Sequence, residues 1–176
     1  MHYGEIITAD PANGPGIRLS LFVSGCTNHC RGCFQPETWD FNYGPEYTEK
    51  TEERVLSELK KDYYQGLTIL GGEPMEPENQ PDVAHLIMRM REDMPDKDIW
   101  VFTGFTFESD LLPGQRKYTE YTDSILDNID VLVDGKFILE KKNLMLRFRG
   151  SENQRVIDMN ATRREGKTVL VNFEQW

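Results

Sequence analysis

The sequence predicts an α/β protein: an open partial (β/α) barrel of about five or six units with a mainly parallel sheet. Short apolar, β-rich runs that stop in glycine alternate with stretches of helical apolar period. Such alternation implies right-handed βαβ units around a parallel sheet. One unit takes about 30 residues, so the 176 residues fall short of the roughly 250 that a closed eightfold barrel requires. A curved sheet with one side open is expected, with the chemistry at the carboxyl ends of its strands.

The elements follow in order. Residues 17–25, IRLSLFVSG, are β-rich and end in glycine, which predicts a buried strand running into the loop that follows. Residues 47–64, YTEKTEERVLSELKKDYY, put Val55, Leu59 and Tyr63 on one face, with Thr48 or Thr51 as N-cap, and predict a helix. LTILGGEP (67–74) is a short apolar strand that stops in glycines, and PDVAHLIMRMREDM (81–94) is again helical in period. DIWVFTGF (98–105) and DVLVDGKF (130–137) repeat the pattern of apolar run and glycine loop, with a helix around EYTDSILDNI between them. KTVLVNF (167–173) is the last candidate strand, and residues 106–118 are less regular. With no internal repeat or linker, residues 1–176 are expected to form a single domain.

A formal charge of −10 opposes nonspecific nucleic-acid binding, which depends on Lys and Arg displacing counterions from phosphates. No apolar run approaches the roughly 18 residues of a membrane span, and MHYGEIITAD lacks the basic and apolar regions of a signal peptide. The expectation is a cytoplasmic protein with neither nucleic-acid nor membrane partners.

SGCTNHCRGCF, residues 24–34, contains all the cysteines of the chain: Cys26, Cys30 and Cys33. An odd number opposes a disulfide framework. Structural zinc and ordinary iron-sulfur sites close their shell with four protein ligands, so this loop suggests a metal site left open. Three thiolates can hold three irons of a [4Fe-4S] cube and leave the fourth for a substrate. The alternatives are zinc, with His29 completing the shell, or a site completed across a homodimer. Gly71 and Gly72 let a backbone approach a ligand closely, and the Glu73 carboxylate can pair with an ammonium; the plain alternative is a strand-ending turn. Asp134-Gly135 is a common turn pair. His2, His85 and the methionines form no constellation, the methionines reading as adaptable apolar filling.

The C-x-x-x-C-x-x-C spacing after a first strand, with aromatic Phe34 behind the third cysteine, resembles the signature of the radical S-adenosylmethionine enzymes. The resemblance implies one [4Fe-4S] cluster held by Cys26, Cys30 and Cys33, whose open iron is chelated by the amino and carboxylate groups of S-adenosylmethionine. An electron then cleaves the sulfonium bond to give a 5'-deoxyadenosyl radical, and cluster and cofactor rather than any side chain carry the catalysis. Gly32, Cys33 and Phe34 would belong to the cofactor-binding stretch, Gly32 and Phe34 bordering the adenine. GGEP resembles the family's second motif, with Gly71, Gly72 and Glu73 at the methionyl end. Thr103 would lie near the nucleoside. VDGKF resembles the region where glycyl-radical activating enzymes contact the cofactor carboxylate, through Lys136 here, and supply an Asp, Asp134 here, to a nearby cation.

Arg147 to Asp158, RFRGSENQRVID, together with FTGFTFE and DGKF, is similar to the small activating subunits of anaerobic ribonucleoside-triphosphate reductases. This implies a partner, the reductase large subunit, whose glycine Cα loses a hydrogen atom, and a one-electron donor such as reduced flavodoxin. The open side of the partial barrel would admit a macromolecular loop. The alternatives are an activase of another glycyl-radical enzyme, of the formate-lyase type, and a noncatalytic iron-sulfur or zinc-binding module.

Overall fold

The structure, a computed structural model, describes residues 1–175. Its centre is one open six-stranded sheet whose spatial order is the chain order. The strands are β1 (Tyr3–Asp10), β2 (Ile17–Val23), β3 (Tyr64–Gly71), β4 (Asp98–Phe102), β5 (Val131–Asp134) and β6 (Arg155–Asp158). Pairings β2–β3, β3–β4 and β4–β5 are parallel, whereas β1 and β6 run antiparallel at the two edges. Helices α1 (Glu49–Leu59), α2 (Gln80–Asp93) and α3 (Thr122–Asn128) make the three crossovers, and α4 (Met159–Glu165) follows β6. Five or six units were expected from chain length; there are three. The antiparallel edges use the chain that further crossovers would have required.

The two sheet faces differ. Leu19, Leu21, Val23, Leu67, Ile69, Ile99, Val101, Leu132 and Ile157 alternate onto one face and join the buried side chains of the helices in one core. The opposite face carries Trp100, Val131, Val133 and Val156, with Phe148, Val171 and Phe173 against them. Strands β2 and β3 are thus buried on both faces, as central parallel strands are. On that second face Arg18 is fully buried, donating to Thr68 Oγ1 at 2.6 Å and to the Leu67 carbonyl at 2.9 Å and pairing with Asp98 at 2.5 Å.

Thr48 caps α1, its hydroxyl accepting the Thr51 N–H. The helix stops at Leu59, so Tyr63, expected on its buried face, lies beyond it and is exposed. Strand β1 was not foreseen: it is an irregular edge, with register shifts and a mixed burial pattern that shows no clean alternation. The strand expected at 167–173 is instead a lone bridge between Leu170 and Ile157, flanked by hydrogen bonds from Asp158 to Val169 and from Val171 to Val156. The edge strand proper is RVID, β6. Within 106–118 the chain makes one π-helical turn, Phe107–Leu111, tied by Asp110. Among the described residues no helix is long and apolar enough to cross a membrane.

Candidate functional site

Parallel pairing puts the carboxyl ends of β2 to β5 on one edge of the sheet, with Val23 opposite Gly71, Ile69 opposite Val101 and Phe102 opposite Val133. The cysteine loop and the GGEP, TGF and DGK loops therefore leave the sheet side by side. Their approach is close. A Cβ on Gly72 would lie 2.8 Å from the Gly25 carbonyl oxygen and 2.9 Å from that of Thr38. Only glycine fits there, because the neighbouring atoms are backbone.

Glu73 binds these loops together. Its side chain is buried, and its carboxylate accepts from Thr103 Oγ1 at 2.6 Å, Met75 N–H at 3.0 Å, Gly104 N–H at 2.7 Å and Asn28 Nδ2 at 3.0 Å. All four donors are neutral. Burial outweighs them and pushes the carboxyl up to about 7, with Glu76 repelling its charge in the same direction. Glu76 is also buried; it accepts the Thr27 N–H and hydroxyl and the Lys117 ammonium, the last at 2.6 Å. Asn79 completes the tie, donating to the carbonyls of Ser24 and Glu73.

Cys26 is buried and Cys30 and Cys33 half-buried, all three unpaired. Burial pushes the Cys26 thiol up to about 11, helped by the charge of Glu73 and opposed by the N–H groups of Asn28 and His29. Cys30 is raised by burial, against the Lys136 charge and the Phe137 N–H. Left alone, Cys26 and Cys30 keep their protons; a bound metal deprotonates its thiol ligands. Backbone N–H groups at the sulfurs are the means by which proteins tune iron-sulfur clusters. Among the described residues no three or more His, Cys, Asp or Glu side chains gather as they would around one metal ion. His29, the fourth ligand of the zinc alternative, stacks on Trp39 with ring centroids 4.7 Å apart.

Against known sequences, residues 12–157 match the family model described as a 4Fe-4S single cluster domain, a span that includes all three cysteines. The anaerobic ribonucleoside-triphosphate reductase-activating protein of Vibrio cholerae is 42% identical over 156 residues, covering 88% of this chain and 96% of that protein. The proteins of the same name from Escherichia coli K12 and Enterobacteria phage T4 are 40% and 39% identical, covering 88% and 89% of this chain and 96% and 93% of theirs. This chain belongs to that family of reductase-activating proteins.

In this family member, the expected site residues fall into four groups. Cys26, Cys30, Cys33, Gly71, Gly72, Glu73 and Thr103 stand on the adjoining loops at the sheet edge, with Glu73 hydrogen-bonded directly to Thr103. Gly32 and Lys136 flank them: a Cβ on Gly32 would meet Leu139 at 2.9 Å, and Lys136 is exposed. Phe34 is 85% exposed, without the packing that an adenine-bordering side chain has once its ligand is in place. Asp134 is fully buried, accepting the Phe107 N–H at 2.9 Å and two bonds from Arg155. Sequence reasoning missed Asn28, Thr27, Glu76 and Lys117. Glu76 had a local signal, a second carboxylate three residues past Glu73. Lys117 had none, since it lies in the irregular segment and reaches the cysteine loop only through the fold.

Proposed function

We propose that this chain is a radical S-adenosylmethionine enzyme that activates an anaerobic ribonucleoside-triphosphate reductase by removing a hydrogen atom from a glycine Cα. The observation that carries this reading is a buried carboxyl and an exposed ammonium beside the cysteines, neither met by an opposite charge among the described residues. Among the described residues Glu73 has only neutral donors, and Lys136 makes no ion pair. A methionyl group carries an ammonium and a carboxylate on one carbon, the complement of that pair. Electrostatic attraction to both ends would hold it in one orientation.

In this reading Cys26, Cys30 and Cys33 hold a [4Fe-4S] cluster, Gly71, Gly72 and Glu73 bind the ammonium end, and Lys136 binds the carboxylate. When bound, the cluster and S-adenosylmethionine supply the electron transfer and the hydrogen-abstracting radical chemistry. Thr103, Gly32 and Phe34 border the nucleoside, Phe34 becoming covered as the ligand arrives. Asp134 acts through Arg155 and the Phe107 N–H, fixing the loop that bears Lys136. All the sheet-covering helices pack on one face, which supports a curved sheet of the radical S-adenosylmethionine type, acting as one domain over residues 1–176. Its open side admits the glycine loop of the reductase, and docking excludes water from the reaction. A reduced flavodoxin or similar carrier supplies the electron, in the cytoplasm.

The test is anaerobic EPR of the iron-sulfide-reconstituted protein with the reductase of its own organism, S-adenosylmethionine and a reductant. A glycyl-radical doublet that requires every component is expected. Cys30→Ala should abolish the doublet and 5'-deoxyadenosine formation while circular dichroism remains native. A doublet only with another glycyl-radical enzyme would reassign the partner. Absence of 5'-deoxyadenosine under all conditions would leave a metal-binding module.

A further inference from the structure

Residues 136–149, KFILEKKNLMLRFR, contrast with the rest of the molecule. They hold five cationic residues and one acidic residue in a chain whose formal charge is −10. The segment leaves β5 through the DGK loop, makes a short 3-10 turn at Leu139–Lys141 and returns to β6. Its tip carries Leu144 and Met145, 86% and 90% exposed. Lys141, Lys142 and Arg147 are also exposed and make no ion pair among the described residues. Two long apolar side chains standing in water within a cationic stretch have no use in the folding of this chain.

The strap is nonetheless held in place. Lys142 bridges to Ser151, Glu152 N–H donates to the Lys141 carbonyl at 3.0 Å, and Asn153 Nδ2 donates to the Lys136 carbonyl at 2.8 Å. Gln154 accepts the Gly150 N–H at 2.9 Å and donates to the Gly135 carbonyl at 3.0 Å, so it ties both ends. Phe148 anchors the return leg on Trp100, ring centroids 5.2 Å apart. The Met145 N–H bonds to Asn143 Oδ1 at 3.0 Å, which shapes the tip. The polar GSENQ stretch is therefore the base that presents the strap. A surface held in its binding shape loses less entropy on docking than a free loop.

The base of the strap also touches the cysteine loop. Leu139 meets Gly32, Glu140 pairs with Arg31 at 3.1 Å, and the Phe137 N–H is aimed at Cys30. A partner seated on the strap is thus continuous with the mouth of the site. We propose that the strap is the docking surface for the target reductase, and that it receives an acidic segment of that protein beside the reacting glycine. This rests on the reading above. Two partners need access to this enzyme, an electron carrier and the reductase, and the strap fits the second. A carrier makes a brief encounter and docks through a small interface. The reductase complex must persist and exclude water while the hydrogen atom moves, which calls for apolar anchors inside a charged rim. Leu144 and Met145 supply the anchors. The cations steer an acidic partner past the negative remainder of the chain.

The experiment uses full-length reconstituted protein and the reductase. Reductase affinity is measured at 50 and 500 mM salt for wild type, for K141E/K142E/R147E and for L144S/M145S. None of these side chains has a hydrogen-bond or ion-pair partner among the described residues, and unchanged unfolding temperatures check that they are dispensable to the fold. The charge variant should bind at least tenfold more weakly at low salt and lose most of the salt dependence, while the apolar variant should weaken binding at both salts. With dithionite as reductant, glycyl-radical yield should fall in parallel, whereas 5'-deoxyadenosine formation without reductase should match wild type. Unchanged reductase affinity in both variants would overturn the proposal. So would a loss of radical seen with a protein electron donor but not with dithionite, which would make the strap the carrier's surface. The affinity measurements need no chemistry, so a protein that binds through the strap yet never cleaves S-adenosylmethionine would overturn the functional reading alone.

Discussion

Glu73 and Asp134 are two buried carboxylates at the same edge of the sheet, one after β3 and one at the end of β5. Asp134 is bonded to Arg155, which also pairs with Glu108 at 2.7 Å. Glu73 is held by a hydroxyl, a carboxamide and two backbone N–H groups, with no cation among the described residues. Both are satisfied in hydrogen bonds, but only one is neutralised. Neutral donors fix a carboxylate in place and leave its charge available, whereas a guanidinium fixes it and cancels the charge. The first arrangement suits a ligand that brings its own cation; the second suits the framework.

The strongest way to break this contrast is Arg155→Met. Removing one partner of a buried pair leaves an uncompensated charge, and a loss of about 3–5 kcal/mol is expected in urea unfolding. A loss below about 1 kcal/mol would mean that Asp134 has no need of its cation. Glu73→Gln comes next and should act on binding. S-adenosylmethionine affinity of the reconstituted protein should fall about tenfold, a cost of roughly 1.4 kcal/mol, with iron content unchanged in equilibrium dialysis. An unchanged affinity would remove Glu73 from the ligand site.

Glu73 and Glu108, the second carboxylate on Arg155, predict opposite responses to pH. In the apoprotein the Glu73 carboxyl lies at about 7 against an ordinary 4.5, so the folded state holds its proton more tightly than the unfolded state does. Its contribution to stability is complete below 4.5 and disappears as pH rises through about 7. The Arg155 guanidinium, with help from Thr168, holds Glu108 down to about 2, so that contribution is complete above 4.5 and disappears as pH falls toward 2. Urea midpoints of wild type and Glu73→Gln should therefore diverge between pH 4.5 and 7 and run parallel below that window. Parallel curves throughout would show that Glu73 is not raised. The smallest effect is that of Thr103→Val, which deletes one donor to Glu73 and should cost about 1 kcal/mol. It should also move the pH window upward, a shift that a purely packing role for Thr103 would not produce.

The residues of the candidate site were named from local patterns in the sequence. The cysteine spacing, the glycines that end β3 and the Lys of the DGK loop are local patterns. The central strands were legible for the same reason, being short apolar runs between turns. What escaped was nonlocal or irregular: β1 with its register shifts, β6 hidden in a polar stretch, and Lys117 in a segment without a repeat. Chain length misjudged the number of crossovers because length cannot tell a parallel strand from an antiparallel edge.

By itself the sequence determined how many thiols there are, how they are spaced, and which runs alternate as strand or recur as helix, since each of these depends on residues a few positions apart. Only the tertiary structure decided which charges are cancelled. Arg155 reaches Asp134 across 21 residues and Lys117 reaches Glu76 across 41. Those partners meet because strand pairing sets the neighbours at the sheet edge, and the same pairing leaves Glu73 with neutral donors alone.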